Sequence, residues 1–279
     1  MKIYIMTDME GVAGVLDHDN WCQPAERGYP GRYYELGREL LTREVNAAIE
    51  GLCQAGAEEI LVADGHGAGG INPILLDRRA RLMRGWPEGW PLGLDGSFSA
   101  VMWVGQHAKA GTPRAHLAHT QWFNYLDLSV NGVSIGEFGQ FALCAGELGV
   151  PAIFACGDEA LCREAEALAP GIVTVAVKQG TTPDDGAELT TAEYMRHNLS
   201  AIHLHPEVAR ERIREGAKEA LLRLRKERPP LVALRPPYER VILLRPEERG
   251  QPRRVDRAIH PRSIAALFNI PFNPRPAEG

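Results

Sequence analysis

The sequence predicts an α/β fold: a mostly parallel sheet flanked by helices, with a smaller C-terminal α+β subdomain. Three observations carry this. Short apolar runs of strand length alternate with segments whose apolar residues recur at helical spacing; glycines and prolines punctuate the junctions; and beyond Gln179 the chain turns charged and proline-rich. The change of pattern sets an expected division into residues 1–185 and 186–279.

Lys2 to Thr7 reads as the first strand. A Gly/Pro-rich loop through Tyr29, Pro30 and Gly31 leads to Leu36, Leu40, Leu41, Val45, Ala48, Ile49 and Leu52, the apolar stripe of a helix that Gly56 closes. Glu59 to Ala63 is then a second strand, and the βαβ unit implies parallel pairing through a right-handed crossover. Ala100 to Gly105 is another strand. Leu126 to Val130 and Val133 to Ile135, joined by Asn131-Gly132, predict a hairpin with a primed two-residue turn. A helix from Glu137 to Leu148, stopped by Gly149 and Pro151, precedes a strand (Ala152 to Cys156), a helix (Asp158 to Leu168) and a strand (Ile172 to Val177). In the C-terminal part, Glu207 to Glu227 is a charged amphipathic helix, Leu231 to Leu234 and Val241 to Leu244 are short strands, and the tail from Pro271 is irregular.

Several of these strands run out at a residue able to bind metal: Asp8 and Glu10 in TDMEG, His66 in ADGHG, and His107 in VGQHA, with Glu137 in SIGEFG. Carboxylates one residue apart leave one face of an extended chain and can grip a cation together. Singly, a strand-end Asp is most often a cap or turn former and a lone His a satisfied polar residue. Together they predict a site, because open α/β sheets bind ligands where the carboxyl ends of strands meet. The mixture of imidazole and carboxylate suits zinc better than magnesium.

Composition narrows the field. A chain of 279 residues buries a core without staples, and its five scattered cysteines lack CxxC spacing, so neither a disulfide framework nor a cysteine metal site is expected. No secretion signal precedes the first strand and no apolar run approaches the roughly 20 residues of a membrane span; a reducing cytoplasm is the expected location. A net charge of −5 with dispersed basic residues argues against nucleic acid as a partner.

Residues 65–70, GHGAGG, satisfy the dinucleotide fingerprint literally. That fingerprint must open into a long helix, and Asn72-Pro73 follow instead. The glycines then serve to turn the backbone and present His66, with Asp64 as a residue that could orient it. His119, beyond a Gly-Thr-Pro turn from His107, can swing over the metals and move a proton. His116 reads as a loop residue, as do His18, His197, His203, His205 and His260, and His203-x-His205 has no carboxylate near it in sequence.

The segments MKIYIMTDMEGVAGV, YYELGRELLTREVNAAI, ADGHG, GLDGSF, VGQHAKAGTP followed by HT, VNGVSIGEFG, and FACGDEA followed by VAVKQ resemble the DppA-like zinc D-aminopeptidase family over roughly residues 1–180. The resemblance implies two zinc ions sharing Asp8, with Glu10, His66, His107 and Glu137 as the other ligands and His119 as the catalytic residue. It also implies an α/β fold with a smaller second domain and a ring-like homo-decamer. Residues 1–185 would be the metal-binding catalytic domain. Two departures stand out: Gln106 replaces a tyrosine common in the family, and the segment from His107 to His119 is about one residue longer, which leaves His116 as an alternative for the catalytic role.

The expected activity is therefore that of a dinuclear zinc aminopeptidase hydrolysing short peptides with N-terminal D-amino acids through metal-activated water. Two alternatives remain open at this point. A two-metal phosphoesterase would need a cationic clamp, for which Lys109 and Arg114 are the nearby basic residues. A catalytically silent relative would bind metal and peptide without turnover.

Overall fold

The computed structural model describes residues 1–23, 31–67 and 69–277. The turn expected through Tyr29 and Pro30 lies outside the described residues, as does Ala68 of the glycine run. Strand β1 (Lys2–Thr7) is covered on both faces, with Ile3, Tyr4 and Ile5 wholly buried. A short helix, α1 (His18–Trp21), follows the acidic pair and is capped by the Asp17 carboxylate on the Asn20 amide at 2.7 Å. Helix α2 (Tyr34–Gln54) buries Leu41, Val45, Ala48, Ile49 and Leu52, the stripe its spacing predicts.

Strand β2 (Glu59–Asp64) returns parallel to β1, with Ile3 opposite Ile60 and Ile5 opposite Val62. Strand β3 (Ala80–Met83) adds to the outer edge of β2, and β4 (Ala100–Gln106) pairs parallel with the other side of β1. The expected hairpin forms from β5 (Tyr125–Val130) and β6 (Val133–Ser134). Its Asn131 and Gly132 have φ of 51° and 78°, the two positive values a primed turn requires. Helix α3 (Glu137–Glu147), strand β7 (Ala152–Asp158), helix α4 (Glu159–Leu168) and strand β8 (Val173–Gly180) extend the parallel sheet beyond β4.

After the short helix α5 (Thr191–Tyr194), strand β9 (Ala201–His203) joins the sheet antiparallel to β8. Helix α6 (Pro206–Lys226) lies against α2 so closely that a Cβ at Gly51 would sit 2.1 Å from the Arg214 carbonyl oxygen. A second, antiparallel sheet combines β10 (Tyr238–Leu244) and β11 (Arg254–His260) with the β5/β6 hairpin. Helix α7 (Ile264–Phe268) follows β11, and the two-residue β12 (Arg275–Pro276) edges it. The α/β expectation is met, with a mixed, mostly parallel sheet between helices and a separate antiparallel sheet.

Two details correct the sequence reading. Leu231 to Leu234 forms no strand: Pro229, Pro230, Pro236 and Pro237 deprive both ends of amide donors, and Val232 is buried with its carbonyl against Gly146. The tail, expected to be irregular, contributes β12. Residues 1–185 and 186–279 remain our proposed functional division. Hydrogen bonding crosses it both ways, since β9 joins the larger sheet and β5/β6 the smaller one. No helix among the described residues is long and apolar enough to cross a membrane.

The order of the larger sheet is β3-β2-β1-β4-β7-β8-β9. The chain travels outward one way from β1 and the other way from β4, so the crevice at the carboxyl ends of β1 and β4 is a topological switch point. Side chains alternate along β1: Ile3 and Ile5 enter the apolar cluster beneath α2 and α6, whereas Tyr4 and Met6 enter the cluster around α3 and the second sheet.

Candidate metal centre

Asp8 is the first residue past β1, and its amide still donates to the Val104 carbonyl of β4 at 3.0 Å, which sets it at the switch point. Glu10 follows on the same loop. Gly11 must be glycine because a Cβ there would lie 2.0 Å from the Gln106 carbonyl oxygen. His66 stands two residues past β2, His107 directly after β4, and Glu137 on the first turn of α3. All five sequence candidates thus come together with His119. The potential ligand atoms of Asp8, Glu10 and His66 form one triad and those of His107, His119 and Glu137 another, each spanning no more than 4.8 Å. Asp8 touches both groups: Oδ1 is 3.1 Å from His66 Nδ1, and Oδ2 is 3.1 Å from His107 Nε2.

The imidazole tautomers follow from the backbone. A carbonyl oxygen only accepts, so His66 Nε2 donates to Cys22 O at 2.7 Å, His107 Nδ1 to Ala108 O at 2.9 Å and His119 Nδ1 to Leu117 O at 2.8 Å. In each neutral ring the other nitrogen then carries a bare lone pair. Those of His66 and His107 face carboxylates: His66 Nδ1 lies 3.1 Å from Glu10 Oε2, and His107 Nε2 lies 3.6 Å from Glu137 Oε1. Lone pairs opposed to carboxylates repel unless something positive lies between them. Glu10 Oε2 and His107 Nε2 are buried without a hydrogen-bond partner, which marks where a cation fits. Two ligands each about 2.0 Å from a tetrahedral zinc are about 3.3 Å apart, in keeping with these separations.

The electrostatics agree. Burial alone would lower the His66 imidazole, but Glu10 and Asp8 drive it well above its usual range. Burial opposes His107 as well, and Glu137 and Asp8 raise it to about 10. Burial would raise the Glu10 carboxyl, yet His66 holds it well below the ordinary carboxylate value. Glu137 is pushed up to about 7 by burial in spite of His107. A cluster this negative draws protons onto its imidazoles, and a divalent cation would displace them.

His119 differs. Burial and the charge of His107 push it down to about 3, so its ring is neutral. It stacks on His107, with centroids 3.9 Å apart and planes at 13°, and on Phe123 at 4.4 Å. With Nδ1 committed to Leu117, its orientation is fixed and Nε2 is left to accept a proton. His119 lines a cavity of about 350 Å³ together with Asp8, Glu10, His66 and Glu137. Gln106 lines it too, and its Nε2 donates to Asp8 Oδ2 at 3.0 Å, which holds Asp8 in place.

Other expectations resolve differently. Asp64 does not reach the His66 ring; it accepts the Gly70 and Ile71 amides at 2.7 and 3.3 Å and so orients the loop. No helix opens from that glycine run among the described residues, as the sequence reading expected. His116 points elsewhere: its amide donates to Asp158, its ring contacts the Leu16 carbonyl and packs edge-on against His203 at 5.2 Å. Neither Lys109 nor Arg114 lines the cavity, and no other lysine or arginine does among the described residues. His18, read as a plain loop residue, lies 3.8 Å from Glu10 Oε1 and edge-on to Phe123 at 5.1 Å. Its only sequence signal was the Asp17-x-x-Asn20 cap that starts a helical turn beside the acidic pair.

The sequence model of the D-aminopeptidase family matches residues 1–251. A D-aminopeptidase of Bacillus subtilis (strain 168) is 34% identical over 184 residues, and the match spans 64% of this chain and 64% of that protein's length. Among solved structures, the fold is similar to a zinc-dependent D-aminopeptidase, DppA from Bacillus subtilis, a self-compartmentalizing protease. The TM-score is 0.73 and the identity 27%, over 88% of this chain and 81% of that one. With the family match running through nine of its ten strands longer than two residues and all the candidate ligands, this chain belongs to the D-aminopeptidase family.

Proposed function

We propose that this protein is a zinc-dependent aminopeptidase that removes N-terminal D-amino acids from short peptides. The observation that carries the proposal is the pair of triads joined through the two oxygens of Asp8, with imidazole nitrogens not committed to the backbone facing carboxylates beside a cavity of about 350 Å³. The nitrogen and oxygen donor set suits zinc. Asp8, Glu10, His66, His107 and Glu137 would hold the zinc, with two ions per chain as our proposal. Zinc held by these residues would supply Lewis-acid chemistry and a more acidic bound water.

The chain's own groups do the rest. His119 Nε2 takes up a proton during attack and returns it to the leaving amine, its ring held by Leu117 and by stacking on His107 and Phe123. The substrate's α-amino group needs an anionic or metal anchor, for which Glu10, Glu137 or a zinc would serve. Gln106 fixes the Asp8 carboxylate from beneath. The absence of a lysine or arginine among the described lining residues disfavours a phosphate ester as substrate. The cysteines are all unpaired, which supports a reducing, cytoplasmic setting. We further propose a homo-oligomer, a ring-like decamer, by likeness to the self-compartmentalizing relative.

The test is a metal-replete assay on matched D- and L-aminoacyl peptides, with chelated protein as control and metal content measured in parallel. We expect hydrolysis of the D-peptides, its loss on chelation and its return with zinc. Activity in the metal-free protein, or equal turnover of both enantiomers, would overturn the proposal.

A further inference from the structure

The cavity has an apolar end that plays no part in the chemistry above. Two elements lead into it from the metal candidates. On β1, Met6 precedes Asp8 by two positions and leaves the same face of the strand; on α3, Phe141 follows Glu137 by one turn and shares its side of the helix. Both line the cavity, as do Trp86, Trp90 and Leu92 from the segment between β3 and β4. All five pack in one apolar cluster.

This wall is pre-formed. The Tyr4 hydroxyl donates to the Leu92 carbonyl at 2.6 Å, and the Tyr4 ring meets Phe141 at 5.1 Å and Phe98 at 5.3 Å, which ties Leu92 and Phe141 together. Asn269, just past α7, accepts the Trp90 amide at 3.0 Å and donates to the Trp90 carbonyl at 2.8 Å, while the Trp90 ring packs on Phe268 at 5.2 Å. The C-terminal part therefore braces a wall of the cavity in the N-terminal part.

Apolar surface held open beside a charged cluster gains free energy when an apolar group fills it. We infer that this lobe receives the side chain of the substrate's N-terminal residue and selects a bulky apolar one, aliphatic or aromatic. The inference rests on the aminopeptidase reading. It assigns the lobe to the N-terminal residue because the lobe adjoins Asp8 and Glu137, around which the scissile carbonyl would sit. A methyl group would leave much of the lobe unfilled, and a charged side chain would lose hydration without gaining a partner.

The experiment uses the zinc-loaded full chain and dipeptides D-Xaa-Gly with Xaa Ala, Leu, Phe or Lys. The expected kcat/KM is about tenfold or more higher for Leu and Phe than for Ala and Lys. Trp86→Ala should shrink the Leu-to-Ala ratio about tenfold and Trp86→Phe should keep most of it; a merely structural defect would scale both substrates together. A flat profile, or one favouring Ala, overturns the inference. Calorimetric binding of the D-leucine and D-alanine hydroxamates to the same protein separates the two claims. If no dipeptide is cleaved, the aminopeptidase reading fails, yet tighter binding of the leucine compound upholds the lobe and equal binding rejects it.

Discussion

Two buried polar clusters flank β1 at the carboxyl end of the larger sheet, and they are built on opposite plans. Around Lys178, each carboxylate has a donor: Glu44 accepts the Ala13 amide at 2.9 Å, and Asp158 accepts those of Leu161 and His116 at 2.9 and 3.1 Å. The Lys178 ammonium lies among them and donates to the Glu10 and Val15 carbonyls. Around Asp8 one nitrogen of each of His66 and His107 is committed to a backbone carbonyl, and the other faces carboxylates with a proton that a metal could displace. The first cluster carries its own cation; the second has the electrostatics of a cage that an imported one can fill. The contrast is informative because both clusters hang on one loop: Lys178 grips the main chain of Glu10, whose side chain faces the other way.

The largest effect that would break this comparison is expected from Asp8→Asn. Removing the shared charge should abolish binding of both metals and lower kcat/KM on D-peptides by well over a hundredfold, read by metal analysis and kinetics. His119→Ala should lower kcat on the order of 10²–10⁴-fold while metal content stays at the parent value; loss of metal would move His119 from proton transfer to ligation.

Lys178→Met tests the other cluster. Removing the ammonium leaves the buried Glu10 and Val15 carbonyls without this donor and should cost about 1–3 kcal/mol in denaturant unfolding, with metal stoichiometry retained in the folded protein. Glu44→Gln sharpens the contrast through pH. Burial raises Glu44 to about 7, above its ordinary value, so its stabilising contribution is complete below the unfolded-state pKa and is lost as pH rises through about 7. Glutamine cannot ionise, so the variant should gain roughly 2–3 kcal/mol on the parent between pH 4.5 and 9. A stability difference that stays constant across that range would contradict the assignment.

Much of this was legible because the elements that carry the site are the most regular. The stripe of α2, the run Lys2–Thr7 and the Asn131-Gly132 turn follow from periodicity and turn chemistry. Asp8, Glu10, His66, His107 and Glu137 could be picked out because they stand at or near the ends of such elements. The smaller sheet was harder. In β11, the buried Asp256 pairs with Arg240 of β10 at 2.7 Å and accepts the Asn273 amide at 2.9 Å, so a core position reads as charged; in Leu231 to Leu234, flanking prolines leave an apolar run without a ladder. His18 and the Trp86, Trp90 and Leu92 wall reach the cavity through tertiary contacts between segments that no spacing relates.

The most direct test of the central claim is a crystal structure of the zinc-soaked protein with anomalous data collected on both sides of the zinc absorption edge. We predict two neighbouring zinc peaks, one contacting Asp8 Oδ1 with Glu10 and His66, the other contacting Asp8 Oδ2 with His107 and Glu137. A single peak that leaves one triad unengaged, or zinc bound only away from Asp8, would contradict the account.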